Sequence, residues 1–217
     1  MRIVRGRAET PEADLAVTGD LLEYTSDTAA PALRVWRPHR MLAFGRRDAN
    51  RDGYDEACHI AAEHGYVPVE RTVGGHGVAY TGNTVAFVRS EPVGESRTGI
   101  QERYEEATAT LVTALEQLGV DAQTGEPASA FCPGTHSLSA TGKIAGLAQR
   151  IRRDVALVSG VIVVCDHEAI ADVLDPVYAT LDVPFDPDTV GSIARAGGEG
   201  TPEAVVETVE RALTTEY

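Results

Sequence analysis

The chain has 217 residues, enough for one sizeable hydrophobic core, with 43% hydrophobic and 6% aromatic residues. No apolar run reaches the roughly 18 residues of a membrane span, and no apolar signal core follows the basic start at Met1 to Arg7, so a cytoplasmic protein with no membrane partner is expected. A net charge of −14, from 33 acidic against 19 basic side chains, argues against a nucleic-acid partner, which requires clustered positive charge.

Residues 11 to 25 have helical spacing, with Thr10 placed as N-cap before Pro11. Ala32 to Trp36 and Met41 to Phe44 read as strands, and Asp52 to His64 as a helix stopped by Gly65. Val67 to Thr72 is expected as a strand that opens into Gly74-Gly75-His76-Gly77. Short strands follow at Val78 to Tyr80 and Thr84 to Arg89, around a turn at Thr81-Gly82-Asn83. A long helix is expected from Ile100 to Leu118, then a loop over 124 to 135. Strands follow at His136 to Ala140, Lys143 to Arg152 and Asp154 to Cys165, the last so rich in Val and Ile that it belongs at the centre of a sheet. Residues 167 to 178 and 202 to 215 read as helices, with a helical turn over 187 to 194. Antiparallel strand runs with helices between and after them give an α+β fold.

Eighteen arginines stand against a single lysine, Lys143, in Thr141-Gly142-Lys143-Ile144-Ala145-Gly146. Two readings are open: compositional accident in a lysine-poor chain, or an ammonium kept for work that a guanidinium cannot do, since arginine cannot act as a base or a compact point charge. The small neighbours suggest an accessible site whose substitution changes stability little. Acidic excess with so little lysine also fits a halophilic protein, whose surface charges are screened within about 3 Å at molar salt; an acidic protein from a GC-rich genome is the other reading.

Of three cysteines, Cys58 and Cys165 read as buried fillers, and none has zinc-ligand spacing, so no metal site is expected. Cys132 precedes Pro133-Gly134 in a polar loop, eleven residues before the lysine, and is the one placed for reactivity. An unperturbed thiol, with a pKa of about 8.5, is only slightly ionised at neutral pH; a nearby ammonium would favour its thiolate. His136 is a second candidate base or a plain surface histidine. The segment from Arg71 through Gly74, Gly75, His76 and Gly77 can expose backbone N–H groups beside a fixed cation, suiting an acyl or carboxylate oxygen; alone, it could equally be a hairpin bend. It lacks both P-loop and dinucleotide spacing.

Arg71 to Asn83, R-T-V-G-G-H-G-V-A-Y-T-G-N, resembles the R-x-x-G-G-G-x-V-x-H-D-x-G-N signature of the lipoate–protein ligase and octanoyltransferase superfamily. Gly142 to Arg150, G-K-I-A-G-L-A-Q-R, is similar to that family's G-K-K-I-x-G-x-A-Q motif, and Leu33 to Arg46 to its early strand pair. The three stand in the family's order over residues 10 to 180. The resemblance implies a biotin/lipoate protein ligase catalytic-domain fold, class II synthetase-like, with a mixed, mostly antiparallel sheet flanked by helices. It would span 1–217 as a single catalytic domain, with residues 180–217 as a C-terminal helical extension. It further implies that Lys143 projects over the acyl carbonyl and that Arg71, Gly74, Gly75, His76, Gly77, Asn83, Gly142, Ala145 and Gly146 line the acyl or ligand site.

Ala130 to Ser139, A-F-C-P-G-T-H-S-L-S, resembles the Y-C-P-G-x-Y-D-L-S segment of the cysteine-dependent octanoyl amidotransferases, which implies Cys132 as nucleophile with Lys143 as its catalytic partner. On this reading octanoyl or lipoyl groups pass between lipoyl-carrier proteins, the glycine-cleavage H protein and E2 lipoyl domains, without a cofactor. The alternative is a lipoate–protein ligase, which would need ATP and Mg2+ and would take an accessory subunit from elsewhere. A third reading is a non-catalytic member that binds acyl groups or carriers; the lone lysine argues against it, because mere binding would tolerate arginine. The chain departs from the pattern where Tyr80-Thr81 replaces the usual His-Asp, where His76 stands for a glycine, and where Glu70 precedes Arg71. The lost basic neighbour weakens the grip on a nucleotide phosphate and favours the transferase.

Overall fold

The computed structural model describes residues 1–71, 75–93, 99–152 and 154–215. In chain order the elements are β1 (Arg2–Val4), α1 (Pro11–Thr28), β2 (Ala32–Trp36), β3 (Met41–Phe44), α2 (Arg46–Ala49), α3 (Tyr54–Glu63), β4 (Val67–Glu70), β5 (Val78–Tyr80) and β6 (Val85–Pro92). Then come α4 (Ile100–Gln117), β7 (Gln123–Thr124), β8 (Ser137–Ala140), β9 (Gly142–Arg152), β10 (Val155–Ile162), α5 (His167–Thr180), a 3-10 turn at Pro187–Thr189 and α6 (Pro202–Thr215). Seven strands form one sheet in the order β1-β2-β6-β10-β9-β8-β7, antiparallel except for β1 on β2. A second sheet, β4-β3-β5, pairs β3 and β4 in parallel. The fold is the expected α+β arrangement, and its Val/Ile-rich strand β10 sits at the centre of the large sheet.

Both faces of that sheet are covered, so the two-residue period sorts its apolar side chains into separate cores. Leu33, Val35, Val85 and Phe87 meet Leu111 and Leu115 of α4 and Val205, Val209 and Leu213 of α6 on one face. Ala32, Trp36, Ala86, Val88 and Leu157 meet Leu21 of α1 on the other. A third core joins the small sheet to α3 and α5 through Leu42, Phe44, Ala61, Val173 and Tyr178.

Several boundaries moved for identifiable reasons. Thr10 caps α1 as expected, its side chain accepting from the Ala13 N–H at 3.2 Å. The helix runs to Thr28 instead of residue 25, because the buried Thr25 hydroxyl pairs with that of Ser90 at 2.7 Å and holds the last turn against β6. The central strand stops at Ile162, not Cys165. Val163 and Val164 turn to an irregular partner, their carbonyls accepting from Ile193 and Ala194. The expected turn over 187 to 194 shrinks to three residues, because Val190 bridges Lys143 and the Gly191 N–H donates to the Lys143 carbonyl at 2.9 Å. The residues expected as a C-terminal extension thus pack on the sheet and supply core side chains, Val190 and Ile193 as well as those of α6. The strand expected over Val67 to Thr72 is observed to Glu70, Thr72 lying outside the described residues.

Candidate active site

A cavity of about 640 Å³ opens between α1 and the large sheet, walled by Leu15, Trp36, Ala86, Val88 and Leu157 and reached by Arg71, Gly75, Cys132, Lys143 and Gly146. The loop that joins β7 to β8 carries Cys132 into it. Cys132 has φ +41°, a left-handed conformation that a β-carbon disfavours and that survives only where neighbours impose it. The Cys132 N–H donates to the Tyr178 hydroxyl at 2.8 Å, and that hydroxyl donates to the Gly77 carbonyl at 2.8 Å. A β-carbon on Gly75 would stand 3.5 Å from the sulfur, so the absence of a side chain there keeps one side of Cys132 clear.

The cation next to the thiol is Arg71, not the lysine. One Arg71 nitrogen lies 3.5 Å from Cys132 Sγ and donates to the His76 carbonyl at 2.6 Å, while Nε donates to the Ala43 carbonyl at 3.2 Å. Burial works against the guanidinium charge, but Cys132 and Tyr80 more than offset it, leaving Arg71 above its ordinary value. Burial likewise pushes up the Tyr178 hydroxyl, with Cys132 adding to the shift, so Tyr178 stays protonated and able to donate.

Lys143 departs from the expectation of an accessible ammonium: it is 1% exposed. Its Nζ donates to Glu126 Oε2 at 2.7 Å and to the Phe131 and Cys132 carbonyls at 2.9 Å each. An ammonium has three hydrogens, and all three are committed, which is what permits its burial. The stem passes Gly146, where a β-carbon would come 3.4 Å from Lys143 Cε. Glu126 gathers two more donors, the Gly134 N–H on Oε1 and the Ser137 hydroxyl on Oε2, each at 2.8 Å. Lysine and glutamate together therefore grip the main chain on both sides of Cys132.

Other residues singled out from the sequence lie elsewhere. His136, weighed as a base, lines the cavity but stacks face to face on Tyr104, with ring centroids 3.6 Å apart. The His76 ring turns toward buried Asp48, with Nδ1 2.7 Å from Oδ1, and lies 6.0 Å from the Tyr178 ring, while its carbonyl accepts from Arg71. Gly77 packs on Leu42 and Phe44. Asn83, expected at the ligand, instead accepts from Arg37 and donates to Asp166 at 2.9 Å each. Gly142 is a packing glycine, with φ +85° and no room for a β-carbon against Thr189 O at 2.7 Å, and Ala145 is fully buried in the core. Gly74 lies outside the described residues. Glu126 and Tyr178 were missed by the sequence reading. Glu126 had a faint signal, as the one charged side chain in the loop over 124 to 135, whereas Tyr178 had none.

The remaining cysteines, expected as buried fillers, are only partly buried, as Cys132 is. Burial, then neighbouring Asp166, pushes the Cys165 thiol up to about 11, and burial also raises Cys58. Among the described residues no group of three or more His, Cys, Asp or Glu side chains could hold a metal ion, and no helix is long and apolar enough to cross a membrane.

The model of the lipoyl protein ligase A/B catalytic domain matches residues 10–216. An octanoyl-GcvH:protein N-octanoyltransferase from Geobacillus kaustophilus is 29% identical over 127 residues, covering 58% of this chain and 45% of the relative. A relative of the same name from Exiguobacterium sibiricum is 32% identical over 134 residues, covering 60% and 48%. The chain spans about half the length of these curated relatives. A crystal structure of lipoate-protein ligase A bound with ATP superposes with a TM-score of 0.78 over 98% of this chain and 83% of that one, at 19% identity, a likeness of fold.

Proposed function

The chain belongs to the lipoyl protein ligase A/B catalytic-domain family, and from that premise we propose that it is an acyltransferase of protein lipoylation, moving an octanoyl or lipoyl group through a thioester on Cys132 to the lysine of a lipoyl-carrier domain. The observation that carries this reading is the setting of the sulfur: Cys132 Sγ stands at the wall of an apolar cavity, against Gly75 and beside the Arg71 guanidinium. The names of the relatives support the same reaction class.

The donor is an acyl group in amide linkage to a carrier lysine. The Cys132 sulfur, beside Arg71, attacks that carbonyl as the thiolate; the carbon–sulfur bond forms, the carbon–nitrogen bond breaks, and the departing amine takes up a proton. The neutral amine of the acceptor lysine then attacks the thioester, the carbon–sulfur bond breaks, and the thiolate is restored as the new amide loses a proton. Lys143 and Glu126 hold the loop that presents the sulfur, and the cavity receives the acyl chain. The carriers are the glycine-cleavage H protein and E2 lipoyl domains, and the reaction needs no cofactor. A ligase would have to seat a triphosphate, for which Glu12 and Glu70 on the cavity wall are poor company.

Intact mass after incubation with octanoylated carrier and no ATP is the test. The expected result is a gain of one octanoyl group, removed by hydroxylamine and absent in Cys132→Ser. Product formation that requires ATP, without such an adduct, would establish the ligase instead.

A further inference from the structure

On the acyl-transfer reading of the site, we propose that Glu126 is a positioning residue for the nucleophile, acting on Cys132 through Lys143 and Gly134. Cys132 is held at φ +41°, and such a conformation relaxes unless the peptide units on either side are pinned. On the near side Lys143 pins the Phe131 carbonyl, and at the residue itself it pins the Cys132 carbonyl. On the far side the Gly134 N–H is pinned by Glu126 Oε1, while Oε2 takes the ammonium that holds the other two. These carbonyl and Gly134 restraints converge on a single carboxylate, while the Cys132 N–H is held separately by the Tyr178 hydroxyl at 2.8 Å.

The chemistry calls for a carboxylate at this position. An ammonium that is 1% exposed needs an opposite charge close by, and Glu126 supplies it at 2.7 Å. An amide could accept a hydrogen bond but could not balance the charge. Both Glu126 oxygens are engaged by three donors, Gly134, Ser137 and Lys143, so the residue acts through its neighbours and not on the acyl group. Its consequence is that the sulfur stays within reach of Arg71. Once the loop relaxes, Sγ moves away from the Arg71 guanidinium, 3.5 Å from it in the held conformation.

Glu126→Gln, of the same size and without the charge, is the test. Three quantities are read: kcat and KM for an octanoylated carrier, iodoacetamide alkylation of Cys132 at pH 7 followed by peptide mass, and the thermal melt. The expected result in a folded variant is a fall in kcat of at least about tenfold, with KM within about threefold and alkylation of Cys132 slowed in parallel. Glu126→Asp, which keeps the charge, is expected to recover part of both rates, and it stands in if the glutamine variant does not fold. In the Lys143→Met background, Glu126→Gln is expected to slow alkylation by less than about twofold further, because the two residues act as one unit. A folded Glu126→Gln with turnover and alkylation like the wild type would overturn the proposal. Faster turnover would overturn it too, since the carboxylate would then be withholding donors that the acyl oxygen needs. Failure of the transfer reading is separately visible, as a wild-type protein that forms no acyl adduct without ATP while its Cys132 alkylation still responds to Glu126.

Discussion

Replacing Lys143 with methionine removes the ammonium while keeping most of the aliphatic stem, so the loss is one of charge and hydrogen bonds. Three acceptors are left behind: the Glu126 carboxylate and the Phe131 and Cys132 carbonyls. Deleting one partner of a buried ion pair costs about 3–5 kcal/mol. Glu126 is 17% exposed and retains a path to water, which argues for the lower end. The Phe131 carbonyl loses a buried, charge-assisted hydrogen bond, itself worth about 1.5–3 kcal/mol. These effects share atoms and do not add in full, so a destabilisation of about 3–5 kcal/mol is expected, equivalent to roughly 10 °C in melting temperature for a chain of this length. Turnover should fall by at least about a hundredfold, equivalent to about 2.7 kcal/mol. Lys143→Arg should be similarly damaging to activity, because a planar fork cannot serve three acceptors arranged around one nitrogen. The assay is a melt and a turnover measurement for each variant. A Lys143→Met protein that melts within about 2 °C of the wild type would refute the reasoning, showing that the ammonium does not hold the loop.

Cys132→Ser is expected to abolish transfer and leave the melt unchanged, because a neutral hydroxyl is a far poorer nucleophile; near-normal product formation in the presence of ATP would instead favour the ligase. Gly75→Val should block acyl binding with little effect on folding. A lone β-carbon would lie in ordinary contact, 3.5 Å from Sγ, but branched methyl groups crowd the sulfur, and normal octanoate binding by calorimetry would contradict this. Gly142→Ala should lower stability by roughly 2–4 kcal/mol in a denaturant melt, since φ +85° strains any β-carbon and Thr189 O would lie 2.7 Å from it.

The elements and their order were legible in the sequence because alternation and capping are local signals. Thr10 with Pro11 marked one helix start, and the Val/Ile run from Val155 marked the central strand. What failed to show was set by contacts between distant residues. Thr25 meeting Ser90 lengthened a helix, and Val190 bridging Lys143 shortened a turn. The same holds for the site. Cys132, Lys143, Arg71, Gly75 and Gly146 could be named from motifs and do converge on one cavity. Their division of labour could not be read, since Arg71 just after β4 and Cys132 are 61 residues apart and meet only in the folded chain, and Lys143 is turned inward by Glu126, whose role no motif announced. Gly142, Ala145 and Asn83 sit inside recognisable motifs yet serve packing and turn geometry.

The placement of α6 bears on how the protein is made. The apolar face presented by β2 and β6 is complete in sequence by Pro92, but Val205, Val209 and Leu213, which seal it, are synthesised more than a hundred residues later. At about 5–20 residues per second, a growing chain carries that face unsealed for several seconds or longer. Lys143 waits in the same way for Val190 and Gly191 to leave the ribosome. Sealing of that face is therefore a late event in the life of the nascent chain, and a polypeptide cut short before α6 lacks the Val205, Val209 and Leu213 side chains that cover it.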